Sequence, residues 1–551
     1  MAVNPDILSA LMVNPVSDEG ALPCRVLCIA HFSGRTDSDF QQYSLDPAEP
    51  EKAMSFFQTQ VDLSDIFPGY EPYPVRSLSD FSPAVLLKQL PALKEALTLR
   101  DLLQRELTES DDDIHRKVCV FLRRYGFREA EGVALEDTPV DFLYTDLEQL
   151  LSDLLDQVLH HSAFQALEAC WRQIFALCAV ARVAKSARVE LLDACHKNLE
   201  EDLTQQGYLR DSVLFDRIYS HEFGQFGGQP YNLITVDYSA CRSEQDLKLM
   251  ESLARLGHAA HAAVVLPVRP QLLSFEHYED LLGQNIGEWC SSTRFLPFKH
   301  LAELEASRYL FLTMPRQVLR SPYKGRFDDL LYKESQGADG EGLLWGSAIY
   351  SLAANVIIAF EQQQAFTLMT GSEWGRERLL EPYQDPIAGM NLSPVEIDFP
   401  PSLIADLADH GIIAMSSLPE EQSSCFTQLH SLHAFVNDEA STPPDNQLPY
   451  LLTICRIAHM MKVIFREQIG TLDEPEALRE KLERWLRNFV VDLEAPAEEV
   501  MMKKPFREAV VKMDQTIDGV AMSVHLVPHL RYMNQKFQLS LDLILLETSD
   551  G

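Results

Sequence analysis

Residues 212–238 read SVLFDRIYSHEFGQFGGQPYNLITVDY. Val213, Leu214, Phe215, Ile218 and Tyr219 recur at helical spacing and predict one apolar face. Gly224, Gly227, Gly228 and Pro230 then break the chain. Glycine reaches backbone angles that other residues avoid, and proline cannot continue a helix. Residues 231–238 are rich in β-branched and aromatic types and predict a buried strand. The stretch is therefore helix, glycine corner, strand. Phosphate loops run the other way, strand then glycines then helix, so that the helix N-terminus faces the anion. No Gly-Lys-Ser/Thr follows here, and the corner reads as structural.

Size and charge narrow the function. A chain of 551 residues exceeds one core and is expected to hold two or three domains. It is 46% hydrophobic and 23% charged, an ordinary globular balance. The net charge of −35 argues against nucleic acid, whose affinity comes from Lys and Arg on phosphates, and against anionic membranes. It favours solubility or a basic partner. No apolar run reaches the roughly 20 residues that cross a bilayer. The opening MAVNPDILSALMVNPVSDEG lacks the basic region of a signal peptide, so a cytoplasmic location is expected. The ten cysteines include no CxxC pair and read as buried reduced thiols.

The segment EFGQFGGQPYNLITVDY resembles the signature of the large subunit of the type VI secretion contractile sheath, the TssC/VipB family, close to EFGxFGGxPYGxLIGDYEF. Glu222, Phe223, Gly224, Phe226, Gly227, Gly228, Pro230, Tyr231, Leu233, Ile234, Asp237 and Tyr238 match in order and spacing. Asn232 stands where a glycine is usual, and Ser239-Ala240 replaces an acidic-aromatic ending. Further stretches are similar to the same family: FQALEACWR at 164–172 (with Gln173 for a usual glycine), RYLFLTMPR at 308–316, LRSPY at 319–323, LWGSA at 344–348, and 447–470 with Arg456, Ala458, His459, Lys462, Arg466 and Gly470. Upstream, LPCRVLCIAHFSGR at 22–35 and VRSLSDFSPAVLLKQLPALKEALTLRDLL at 75–103 resemble the small sheath subunit, TssB/VipA.

The resemblance implies an α/β fold with mixed sheets flanked by helices, contractile-sheath-like. It divides the chain into a tail at 1–21, a small-subunit-like domain at 22–107, a linker region at 108–143 and a large-subunit-like domain at 144–551. It implies a structural subunit that polymerises around the Hcp tube and contracts to deliver effectors, without catalysis, cofactor or metal. The implied partners are other sheath protomers, a separate small subunit, the Hcp tube, the baseplate and the recycling AAA+ unfoldase. The shortened small-subunit portion, and a glycine-rich segment reduced to 371–374, leave open a non-polymerising cap or accessory.

Local patterns fill in the elements. Strands are expected at 22–29, 259–267, 395–399 and 411–415, and helices at 49–57, 147–159, 188–202, 243–256, 348–360 and 474–492. Ser82-Pro83 is expected to open one helix carrying Leu86, Leu87, Leu90, Leu93, Leu97 and Leu102. At the end, Phe537, Leu539, Leu541, Leu543 and Leu545 alternate with other residues as a strand. Such a strand either joins its own sheet or adds to a neighbouring subunit's edge, and sheath proteins use the second arrangement.

Residues that could do chemistry are sparse. His258/His261 and His430/His433 each place two imidazoles on one helical face, the only hint of a metal-dependent hydrolase. Zinc needs three or four ligands, and HExxH and GxSxG are absent. Glu222 and Asp237 flank the corner and are expected to bond its backbone amides. Arg308, Arg316, Arg320, Arg456 and Arg466 are expected in ion pairs.

Overall fold

The computed structural model describes residues 22–546 apart from 37–38, 107–111, 126–137, 206–207, 226, 337–341, 364, 367–368, 378–393, 419–422, 437–445, 469–474, 494–495, 497–499, 501–503, 505, 517–518 and 529–538. The expected N-terminal tail lies outside the described residues, as do Phe226 and Phe537.

One eight-stranded mixed sheet organises the molecule. Its strands in chain order are β1 (Cys24–Ala30), β2 (Gln42–Ser44), β5 (Ala187–Asp193), β6 (Leu233–Val236), β7 (Ala263–Pro267), β8 (Leu310–Met314), β13 (Ile412–Leu418) and β14 (Ser423–Phe426). The spatial order is β14-β13-β8-β7-β6-β1-β5-β2. Short strands β3 (Gln60–Val61) and β4 (Tyr73–Pro74) pair outside it, as do β9 (Gln317–Arg320) and β12 (Leu344–Gly346). The six inner strands run parallel, and β2 and β14 close the edges antiparallel. Strand periodicity splits the apolar side chains between two cores. Val26, Cys28, Leu191, Leu233, Val265, Phe311 and Ile413 face one side; Leu27, Ile29, Leu192, Ile234, Val264, Leu312 and Ile412 face the other. Burial on both faces is what a parallel sheet requires.

Helices cover both faces. The principal ones are α1 (Glu51–Phe57), α2 (Pro83–Gln89), α3 (Pro91–Glu106), α4 (Asp112–Arg124), α5 (Val140–Leu159), α6 (Ser162–Val183), α7 (His196–Thr204), α8 (Glu244–Ala260), α9 (Ala348–Gln363), α10 (Pro401–Asp409), α11 (Leu448–Gln468) and α12 (Pro475–Leu486). Helix α9 is apolar almost all round, as befits a helix inside the first core. Helix α8 starts as its sequence dictates, with the Ser243 hydroxyl accepting from the Asp246 amide at 3.0 Å.

The segments expected as separate domains, 22–107 and 144–551, contribute to one sheet. Strand β1 sits in the middle of the sheet, between β5 and β6, so the small-subunit-like segment shares one core with the residues that resemble the large subunit. The expected linker carries α4 and the start of α5, and Val118, Phe121, Leu122 and Leu143 are buried in that same core.

Several local expectations also change. Residues 188–202 form β5 and then α7, because a short run buried on both sides looks helical in sequence. The helix from Ser82 is two helices. Leu90 takes an extended conformation ahead of Pro91, as sterics with the proline ring demand. Ala259 and Ala260 belong to α8, and His261 turns the chain with φ of 49° before β7. Val395 makes one isolated bridge to Gln317 instead of a strand.

Three antiparallel strands, β15 (Phe506–Thr516), β16 (Gly519–Pro528) and β17 (Leu539–Leu546), form a separate sheet in the order β15-β16-β17. It has its own core, in which Phe506, Val524 and Leu526 meet Ile457 and Met461 of α11 and Leu486 of α12. The terminal strand is paired within its own chain, with Leu539, Leu541 and Leu543 opposite Leu526, Val524 and Met522. As the edge strand, β17 has its second side outside this ladder.

Candidate functional site

The signature stretch folds as an α-helical turn (Val213–Phe215) that widens into a π-helix (Asp216–Gly224), then the corner, then β6. π-helical turns are rare and tend to mark functional positions. The corner is tight. A Cβ on Gly228 would lie 2.5 Å from the His221 carbonyl oxygen and 2.6 Å from that of Glu222, and Gly227 has φ of 82°. Only glycine fits both.

What the corner holds is Arg25, from β1. Its guanidinium, almost wholly buried, pairs with Glu222 at 2.6 Å and with Glu190 of β5. It also donates to the Gln229 carbonyl and to Tyr231 Oη, the latter at 3.1 Å, and lies 4.2 Å from the Tyr231 ring centroid. Tyr231 Oη donates to Glu190 at 2.6 Å, and Gln42 donates to both Glu190 and Tyr231. Burial would raise the Glu190 carboxyl, but Arg25 and these donors outweigh it and hold the group below its ordinary value. Glu222 also accepts from the Gln229 amide at 3.1 Å, as expected for a carboxylate facing the corner. Asn232, the departure from glycine, accepts from the Arg25 backbone amide at 3.0 Å. This departure thus pins β1 at a second point.

A third point lies at the start of β1. Buried Arg456 of α11 donates to the Leu22 carbonyl at 2.9 Å and lies over the Phe360 ring at 4.3 Å. Burial lowers its guanidinium to about 10. Phe223 packs against His459, with Lys462 Nζ 3.8 Å from its ring centroid, which ties the π-helix to α11. His459 is buried and lowered to about 3, so the neutral ring donates to the Ala260 carbonyl at 3.0 Å. Asp237 does not bond the corner. It accepts from Tyr350 Oη at 3.1 Å, and desolvation raises its carboxyl to about 6.

The other matched stretches are held by their own ion pairs. Arg320 bonds Glu168 at 2.9 Å and Glu334 at 2.7 Å, Arg172 bonds Glu168 at 2.7 Å, and Tyr323 stacks on Arg320. Arg316 pairs with Glu396. Gln173, the second departure from glycine, exchanges two hydrogen bonds with the backbone of Ser347. His430 Nδ1 lies 3.0 Å from the Ala408 carbonyl and His433 Nδ1 lies 2.8 Å from that of Ala302, while His261 Nδ1 lies 3.2 Å from Tyr309 Oη and His258 packs on the Tyr309 ring. Among the described residues, no three His, Cys, Asp or Glu side chains come together as a metal-holding group. All ten cysteines are free, and burial pushes the Cys24 and Cys28 thiols up to about 12. Sequence reasoning missed Arg25, Glu190 and Gln42. The available signal was a lone arginine inside an apolar strand, which must find a countercharge when buried.

Comparison with known proteins decides the family. The model described as "EvpB/VC_A0108, tail sheath N-terminal domain" matches residues 141–433, and "EvpB/VC_A0108, tail sheath gpW/gp25-like domain" matches 437–545. The chain belongs to the VipB tail sheath family. The type VI secretion system sheath protein TssC1 of Pseudomonas aeruginosa is 28% identical over 367 residues, spanning 64% of this chain and 74% of the relative. The chain is therefore a sheath-type structural protein of the large-subunit kind, TssC/VipB. Two solved structures have weak likeness. The sheath tail protein Lin1278 from Listeria innocua aligns at TM-score 0.31 and 9% identity, covering 58% of this chain and 57% of that one. A chain of the anti-feeding prophage baseplate aligns at TM-score 0.29 and 9% identity, covering 66% and 76%. Among the described residues no helix is long and apolar enough to cross a membrane.

Proposed function

We propose that this protein is a structural subunit of a type VI contractile sheath that polymerises in the cytoplasm around the Hcp tube and contracts to drive it out. One observation carries the reading to a single-chain form. The segment that resembles the small subunit supplies β1, the strand between β5 and β6, and is fastened there by Arg25, Asn232 and Arg456. In this reading one chain does the work of both subunits, and the position of β1 is not open to a separate small subunit. Subunits of this kind join by heterologous contacts, which generate helical polymers. The baseplate and the recycling AAA+ unfoldase are the remaining partners. No step of the reading asks the chain for catalysis.

A second reading, a cap that binds a sheath without polymerising, is favoured by β17 being paired already with its own β16. Negative-stain electron microscopy of the full chain expressed alone separates the two. Hollow tubes with cogwheel ends are expected for a one-chain sheath. Small monodisperse particles that stay small on adding a candidate small subunit would leave the cap.

A further inference from the structure

Strands β10 (Lys324–Phe327) and β11 (Leu330–Lys333) form a hairpin outside the main sheet. Its two-residue turn, Asp328-Asp329, has φ of 45° and 64°, the left-handed pair that matches strand twist. The register sets Lys324 opposite Lys333 and Arg326 opposite Leu331, so alternation puts all four on one face. The other face is anchored. Leu330 and Tyr332 are each 1% exposed, Tyr332 Oη bonds Asp156, Arg100 bonds the Asp328 carbonyl at 2.8 Å, and Lys88 pairs with the Asp328 carboxylate.

The outer face is unusual for this molecule. The chain has 82 acidic residues against 47 basic ones, yet this face carries three cations and no carboxylate. None of the three has an ion-pair partner among the described residues. At its centre Leu331 is 76% exposed. An exposed leucine ringed by cations, on a rigid hairpin, has the make-up of a small docking surface with a polar rim.

We infer that this face docks onto the acidic surface of a second copy of the same chain. Copies carrying −35 each repel one another, so an assembly needs places where opposite charge meets. The hairpin supplies the scarce sign, and any second copy supplies the abundant one. The inference shares with the proposed function only the premise that copies associate.

The test is sedimentation of the full chain at low and high salt, with electron microscopy of the same samples. The wild type is expected to self-associate and to lose association as salt rises. The variant carrying Lys324→Glu, Arg326→Glu and Lys333→Glu is expected to weaken self-association at least about tenfold at low salt, with an unchanged circular dichroism spectrum and melting point. Leu331→Ser is expected to weaken it without removing the salt dependence. A control with the exposed Lys52, Lys197 and Lys248 changed to Glu makes the same net charge change and is expected to associate more strongly than the hairpin variant. Salt-sensitive pairs that depend on the hairpin but build no tubes would keep the inference while the sheath reading fails. A wild type that stays monomeric, or a hairpin variant that associates like wild type, overturns it. Capture of a different acidic protein in place of a second copy overturns it as well.

Discussion

Replacing Arg25 by methionine tests how the signature stretch works. Methionine keeps much of the apolar stem and removes the charge and its donors. The two carboxylates it faces have side chains only 11% exposed for Glu190 and 22% for Glu222. Removing one member of a buried pair costs about 3–5 kcal/mol, because the surviving charge stays buried without a counterion. Most of that penalty should fall on Glu190, the more enclosed partner. The chain has more than one core, so a single two-state stability is not the right observable. Hydrogen exchange at β1 reads the local opening free energy directly. A loss of about 3–5 kcal/mol corresponds to roughly two to nearly four orders of magnitude faster exchange across residues 24–30. The triple variant Arg25→Met, Glu190→Gln, Glu222→Gln carries no buried charge at the site and should recover most of the protection. If Arg25→Met alone leaves β1 exchange within about tenfold of wild type, the network does not hold the strand and the reasoning fails.

Three further outcomes follow from the geometry. Gly228→Ala must push a Cβ into the His221 and Glu222 carbonyls, and should cost about 1–3 kcal/mol of local stability, seen as faster exchange at 213–224. Asp237→Asn should flatten one pH dependence. The native carboxyl is raised to about 6 against an ordinary value of 3.8, so the folded state holds its proton longer and wild-type stability from this group falls as pH rises from about 4 to 6. The variant should therefore gain up to about 2–3 kcal/mol over wild type above pH 6 and little below pH 4, read as the difference in hydrogen-exchange protection at β6 across that range; a constant difference would contradict the assignment. Truncation before Phe537 removes the edge strand β17 but no strand of the main sheet, so the eight-stranded unit should melt unchanged while ordered assembly is lost in micrographs. Tubes from the truncated chain would show that β17 links nothing.

The fold was legible where patterns are local. The helix, corner and strand of 212–238 and the helices expected over 243–256 and 147–159 all follow from spacing. The strand order was not legible. β1 pairs with β5 and β6, with Arg25 reaching partners 165 and 197 residues away, and nothing in a periodicity says which distant strand will be a neighbour. The place of β1 was illegible for a related reason: resemblance divides a chain by stretches of sequence, whereas burial draws β1 between β5 and β6. Asn232 and Gln173, visible in sequence only as departures from glycine, each bond the backbone of a distant segment. β5 was misread because a strand buried on both faces loses its alternation.

In the proposed sheath, one chain supplies both β1 and the sheet around it. The most direct test is a cryo-electron-microscopy helical reconstruction of the protein expressed alone. The expected result is a tube whose every subunit is a single chain, with Cys24–Ala30 lying between β5 and β6 of that same chain. Absence of any ordered polymer, or a tube in which another polypeptide fills that position, would contradict it.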